Sequence, residues 1–258
     1  MPQSHASCNL PAMSSSFLLP ASLDRLSLFL DFDGTLVPIA PRPQSIKVPK
    51  GLVDLLHRVS RRLEGRLVLV SGRSLSDLDR YLGLHRLAMA GSHGRELRLD
   101  DHETTGQAHE FDLSAIAQMV RERAGDLPGM EIETKCYGIA LHYRQAPGLG
   151  KQVRGLAEQV AGALGLTVKH GKMVAEILPA GRDKGDAVRA IMAREDFAGT
   201  IPVFVGDDIT DEDGFRAVQA LGGTGVLVGE RDGSAAAMKL SSHEDVWHLL
   251  EWIDRGEQ

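Results

Sequence analysis

Two aspartates separated by one residue, Asp31 and Asp33, follow the apolar run Leu28, Phe29, Leu30 in "LFLDFDGTLV". Carboxylates at the edge of an apolar core are unfavourable unless something neutralises them. Two further apolar runs end the same way. "RLVLVSGRS" (66–74) delivers Ser71, and "IPVFVGDDITDE" (201–212) delivers Asp207, Asp208 and Asp211. Such a set offers only hard oxygen ligands, with no His/Cys cluster to compete, and the cation it suits is Mg²⁺. Each piece alone also reads as something plainer: an Asp-Gly turn, a loop start at Ser71-Gly72, or acids complementing a helix N-terminus. The signal lies in three apolar runs that all carry the pattern at one end.

The elements that must position these residues follow from periodicity. Near-continuous Val/Leu/Ile runs suit strands buried on both faces of a parallel sheet. Helical patterns separate them at 49–63, 74–82 and 184–193, and a fourth opens at Thr210, with Asp213 three residues on as a capping box. The order β-α-β-α predicts a doubly wound, Rossmann-like α/β core. Ligands of such sheets bind outside the carboxyl ends of the strands, so the acids converge on one crevice. The middle of the chain reads differently: a helix at 112–124, two strands in "MEIETKCYGIALHYR" (130–144), a helix at 151–164, and a hairpin in 166–179 turning around His170-Gly171. This predicts a small antiparallel sheet backed by two helices. The expected organisation is a flexible N-terminal extension (1–22), a core (23–105 and 181–258) and an inserted cap (106–180).

Composition narrows the function classes. The 258 residues are 43% hydrophobic and 25% charged, with a formal net charge of −6. Basic residues are scattered among acids, which argues against a nucleic-acid surface, so an anionic substrate needs locally placed cations. No apolar run approaches a membrane span. Two cysteines, Cys8 and Cys136, are too few for a disulfide framework, and the first twenty residues lack the basic and apolar regions of a signal peptide. The expectation is a reduced, cytoplasmic protein.

"DFDGT" (31–35), Ser71, Lys184 and "GDDITDE" (206–212) together resemble the four motifs of the haloacid-dehalogenase-like phosphatases. The resemblance implies that Asp31 is the nucleophile that takes the phosphoryl group, and that Asp33 is the acid and then the base. Ser71 and Lys184 would hold the phosphate. Asp207 would complete a Mg²⁺ site with the Asp31 carboxylate and the Asp33 carbonyl, and Asp208 and Asp211 would stand mainly behind it. Physical need agrees: a carboxylate attacking a phosphate dianion meets repulsion that a cation and a lysine reduce. Lys184 by itself also reads as a solvated surface lysine.

Strand parity bears on the substrate. Glu131, Glu133 and Lys135 share one strand face, and Met130 and Ile132 the other. Tyr137, Ile139, Leu141 and Tyr143 line one face of the next strand, with Gly138, Ala140, His142 and Arg144 opposite. Glu176 interrupts a third apolar strand, and parity leaves its direction open. A polar cap face suits a hydroxyl-rich leaving group, and it also reads as a solvated outer face. "SGRS" (71–74), "GSHG" (91–94), "ETKCYGIALHYR" (133–144), "AEILPAGRDKG" (175–185), "VGDDITDEDGF" (205–215) and "EDVWHLLEWI" (244–253) resemble the trehalose-6-phosphate phosphatases. That resemblance implies that Glu133, Lys135 and Glu176 bind the disaccharide, with Arg73 and His93 near the mouth. It places Gly34, Thr35, Gly72, His142 and Arg144 in the substrate-binding set; His142 alone reads as a structural hydrogen-bond partner. It further implies a small phosphosugar substrate, a separate trehalose-phosphate synthase as pathway neighbour, and a monomer or weak dimer. The rivals are a phosphatase for sucrose phosphate or a glycosyl-glycerate phosphate, and a non-catalytic phosphosugar sensor.

Overall fold

All five residues of β1 (Leu26–Leu30) are buried, because the strand is covered on both faces. In the computed structural model, which describes residues 23–83, 87–99, 104–106, 111–125 and 127–256, it is the fourth strand of an eight-stranded sheet. The segment 1–22, expected to be a flexible extension, lies outside the described residues. The chain continues through α1 (Leu52–Arg62), β2 (Leu67–Val70), α2 (Leu75–Leu82), β3 (Ala88–Gly91), β4 (Glu96–Arg98) and β5 (Thr104–Gly106). Next come α3 (Leu113–Ala124), β6 (Glu131–Thr134), β7 (Ile139–His142), α4 (Gly150–Leu164), β8 (Thr167–Gly171) and β9 (Val174–Leu178). Then follow α5 (Lys184–Met192), β10 (Ile201–Gly206), α6 (Glu212–Ala220), β11 (Thr224–Val228), β12 (Met238–Leu240) and α7 (His243–Arg255).

The large sheet has the order β12-β11-β10-β1-β2-β3-β4-β5, parallel from β12 to β3 and antiparallel at β4 and β5. Leu28 and Leu30 point to a layer formed by α1, α2 and α7, while Phe29 points to α5 and α6. Alternation along one strand thus feeds two cores, which is why the sequence shows no polar face there. The strand order reverses between β1 and β10, and there the crevice of a doubly wound sheet opens. The β1 register sets Leu30 beside both Val205 and Leu69, so Asp31 emerges next to the ends of β10 and β2.

The second sheet is antiparallel, β6-β7-β9-β8. Ile139, Leu141, Ala175 and Ile177 cover α3 and α4 through Ile116, Val120, Val153 and Val160. Tyr143 joins that cluster, as strand parity predicts.

Two local expectations are corrected. The hairpin turns at Lys172-Met173, with Met173 in the left-handed region (φ 62°), and Gly171 belongs to β8 opposite Val174. The register is fixed because Ala175 and Ile177 must face the helices, which carries the strand through His170 and Gly171 and moves the turn two residues on. The helix after β10 begins at Glu212, not Thr210. The capping box belongs to the short 3-10 turn before it and joins Asp208 and Asp211, where the Asp211 carboxylate accepts from the Asp208 N–H at 2.8 Å. Among the described residues no helix is long and apolar enough to cross a membrane.

Candidate active site

Asp31 leaves β1 with its N–H bonded to the Val205 carbonyl at 2.9 Å, and only 4% of the residue is exposed. Its partner is Lys184, the first residue of α5, a helix whose start is fixed by a capping box between Asp183 and Asp186. The Lys184 Nζ donates to Asp31 Oδ1 at 2.8 Å and to Asp211 Oδ1 at 2.6 Å. Burial alone would lower the ammonium pKa, but Asp211 and Asp31 outweigh it and push it above the usual lysine range. For Asp31, burial is the largest influence; with Asp211 and Asp207 it outweighs Lys184 and raises the carboxyl well above its ordinary value.

Asp207, at the end of β10, is raised to about 7 by burial and then by Asp211 and Asp208. Its Oδ1 is buried and has no hydrogen-bond partner. Asp31, Asp207 and Asp211 each bring one carboxylate oxygen within 4.8 Å of the others. Three converging oxygens, one of them orphaned and none a soft ligand, fit a hard divalent cation. Gly34 is essential to this closeness: its φ is +92°, and a Cβ there would sit 2.2 Å from the Asp207 carboxylate.

Asp33 and Asp208 stand outside the trio. The Asp33 carboxylate takes two hydrogen bonds from Arg73, at 2.5 and 2.8 Å, and the Arg73 guanidinium lies over the rings of Phe32 and Tyr81. The Asp208 carboxylate accepts from its neighbour's Ile209 N–H at 2.7 Å and from the Lys172 N–H on the β8–β9 turn at 3.1 Å. Ser71, buried at the end of β2, lines the cleft with Gly72 and Arg73, its Oγ accepting from the Arg73 N–H at 3.2 Å. Gly34 and Thr35, expected to touch substrate, do not line the cleft. Gly34 makes room for Asp207, and Thr35 is fully buried beneath the site.

The second sheet roofs this cleft. Its register aligns Glu133, Ala140, Glu176 and Lys169 in one cross-strand row, and His142, Val174 and Gly171 in the next. Ala140, fully buried, stands between the two glutamates in that row. Glu176 accepts from Lys135 and from His93 Nε2 (2.7 Å), while Glu133 accepts from His142 Nε2 (2.7 Å). Burial would raise Glu176, but the Lys135 ammonium and His93 hold it well below the usual carboxylate range. Burial lowers His93, so a neutral ring donating from Nε2 is the form that satisfies Glu176. His93 itself follows β3 with a left-handed backbone (φ 57°), a conformation that costs energy in a non-glycine residue. It bridges the core to the roof.

The cleft therefore gathers Asp31, Asp33, Ser71, Gly72, Arg73, His93, Glu133, Lys135, His142, Arg144, Glu176, Lys184, Asp207 and Asp208. Sequence reading missed Lys169 and Lys172, which also line it. Lys169 was discoverable: it pairs with Glu176 once the hairpin turn is placed at Lys172-Met173.

The trehalose-phosphatase family matches residues 29–246. Trehalose-6-phosphate phosphatase of Escherichia coli (strain K12) is 38% identical over 231 residues, covering 87% of this chain and 85% of that protein. A probable trehalose-phosphate phosphatase of Sinorhizobium fredii is 37% identical over 222 residues, covering 84% of each. The trehalose-6-phosphate phosphatase C-terminal domain of C. albicans superposes with a TM-score of 0.79 at 22% identity, over 90% of this chain and 92% of that one, which speaks to the fold. The chain belongs to the trehalose-phosphatase family.

Proposed function

We propose that this chain hydrolyses trehalose 6-phosphate to trehalose and phosphate, the last step of trehalose biosynthesis, with Mg²⁺ and through an aspartyl-phosphate. The observation that carries the reading is the composition of one cleft. Asp31 and Asp207, backed by the buried Asp211, form its floor with Lys184, and Glu133, Lys135 and Glu176 line it from the roof. The floor suits a phosphoryl group and the roof a hydroxyl-rich disaccharide. Family membership supports the same assignment.

Asp31 and Asp207 would hold the cation with the Asp33 carbonyl. Asp211, whose oxygens already accept from Lys184 and the Asp208 N–H, buttresses them. When bound, Mg²⁺ supplies charge neutralisation that lets an anionic nucleophile approach a phosphate dianion. The Asp31 carboxylate attacks phosphorus and the bond to the sugar oxygen breaks. Asp33 gives that oxygen a proton, for which it must part from Arg73, and then takes a proton from the water that attacks the phosphoryl group, breaking its bond to Asp31 and releasing phosphate. Lys184 keeps Asp31 oriented throughout, and Ser71 binds a phosphate oxygen. Glu133 and Glu176 accept from sugar hydroxyls, and Lys135 donates to a sugar oxygen. Residues 106–180 act as the cap that closes over substrate and excludes water. The protein works in the cytoplasm on a phosphosugar made by a separate synthase.

Phosphate release from a panel of sugar phosphates, with Mg²⁺ and with EDTA, tests the proposal. Mg²⁺-dependent preference for trehalose 6-phosphate is expected. Preference for sucrose phosphate or a glycosyl-glycerate phosphate keeps the floor chemistry and overturns the substrate, and no turnover at all revives the sensor.

A further inference from the structure

The floor of the cleft is short of positive charge for a phosphate dianion. Asp31, Asp207 and Asp208 line it with Asp211 buried behind them, and Lys184 already bonds to Asp31 and Asp211. Arg73 is taken by Asp33. The cleft is lined further by Arg42, and on the cap side by Arg144, Lys169 and Lys172. Arg144 donates to the carbonyls of Ala40 and Lys172, so its work is to fasten the β8–β9 turn. Lys172, on that turn, carries its Nζ to 3.5 Å from Asp207 Oδ2.

The turn is seated, not merely near. The Lys172 N–H donates to Asp208 Oδ2 at 3.1 Å. Gly171 lies so close to the same oxygen that a Cβ would be 2.7 Å from it. The Met173 carbonyl accepts from the Tyr143 N–H at 3.0 Å, tying the turn to the rest of the sheet. The exposed stem of Lys172, with 59% of its side chain accessible, leaves the ammonium free to swing from Asp207 to an incoming anion.

We infer that Lys172 is a phosphate ligand carried by the cap, delivered to the phosphoryl site when the turn docks on Asp208. The phosphate site is then built from both layers, with Ser71 from the core and Lys172 from the cap. A dianion is fully neutralised only when the cap is closed, which links phosphate binding to exclusion of water. Asp208 acts as a positioning residue, through its grip on the turn. This inference rests on the phosphatase reading of the site.

The test is binding of inorganic phosphate to the intact protein in Mg²⁺, followed by calorimetry, so that no turnover is needed. Losing one charge-assisted contact should weaken phosphate binding about tenfold in Lys172→Met, while Lys172→Arg stays within about threefold of wild type. Gly171→Ala, which keeps the lysine but pushes the turn off Asp208, should weaken it similarly. Trehalose binding to Lys172→Met should be unchanged, because the sugar contacts stand in a different row. Unchanged phosphate affinity in Lys172→Met overturns the inference, as does an equal loss of phosphate and trehalose binding, which would mark the turn as structural support. Absence of phosphate binding to the wild type would overturn the phosphatase reading and this inference with it.

Discussion

Replacing Glu176 with Gln keeps the shape of the roof and removes one negative charge from it. In the native protein this carboxylate accepts two hydrogen bonds, from Lys135 and from His93, and is held well below the usual carboxylate range. Gln can accept with one oxygen only, and its amide N–H₂ would face a donor. At least one of the two bonds is therefore lost, and the other loses the charge on its acceptor. A charge-assisted hydrogen bond contributes about 1.5–3 kcal/mol, and one to a sugar hydroxyl in the transition state lies in the same range. The expected loss in kcat/KM on trehalose 6-phosphate is about a hundredfold, since each 1.4 kcal/mol is a factor of ten. On p-nitrophenyl phosphate, which makes no use of the roof, the loss should be under about threefold. Steady-state kinetics on both substrates, with urea denaturation to check that the fold survives, gives the comparison. An equal loss on both substrates would refute the assignment of Glu176 to sugar recognition and leave it as a brace for the catalytic floor.

The floor carries two further predictions. Lys184→Met leaves Asp31 and Asp211 buried without their shared cation, which should destabilise the metal-free protein by about 3–5 kcal/mol at neutral pH; denaturant unfolding should show a smaller loss at pH 5, where a carboxylate can take up a proton. Burial, with Asp211 and Asp208 beside it, raises Asp207 from the ordinary carboxylate range to about 7, so between these values the folded protein binds more protons than the unfolded chain. Metal-free stability should fall as pH rises from 4 to 7, and Mg²⁺ should flatten the profile by neutralising the trio; thermal unfolding with and without Mg²⁺ across that range checks the sign, and identical slopes contradict it.

How much of this was legible in the sequence depends on what fixed each feature. The strands that carry Asp31, Ser71 and Asp207 announced themselves because both faces are buried, which leaves an unbroken apolar run. The polar face of β7 was readable by parity, since Ile139 and Leu141 had to cover helices. Glu176 was not, because Val174 and Leu178 share its face and make it look apolar. Short strands such as β4 and β12, three residues each, carry too little pattern to be seen. The hairpin turn falls two residues beyond His170-Gly171, because Gly171 reads as a turn residue, whereas glycine is there to let the strand approach Asp208. The Asp33–Arg73 pair and the use of Asp208 as a seat for the turn are tertiary contacts between segments 40 and 36 residues apart. No local pattern encodes them.

The account turns on Asp31 as the group that takes the phosphoryl, and Asp31→Asn, assayed on trehalose 6-phosphate in Mg²⁺ beside the wild type, tests it most directly. Asn keeps the volume, and circular dichroism should report an unchanged fold. Turnover should fall at least about a thousandfold, the scale on which a removed nucleophile is felt. Full activity in this folded variant would contradict the mechanism proposed for the cleft.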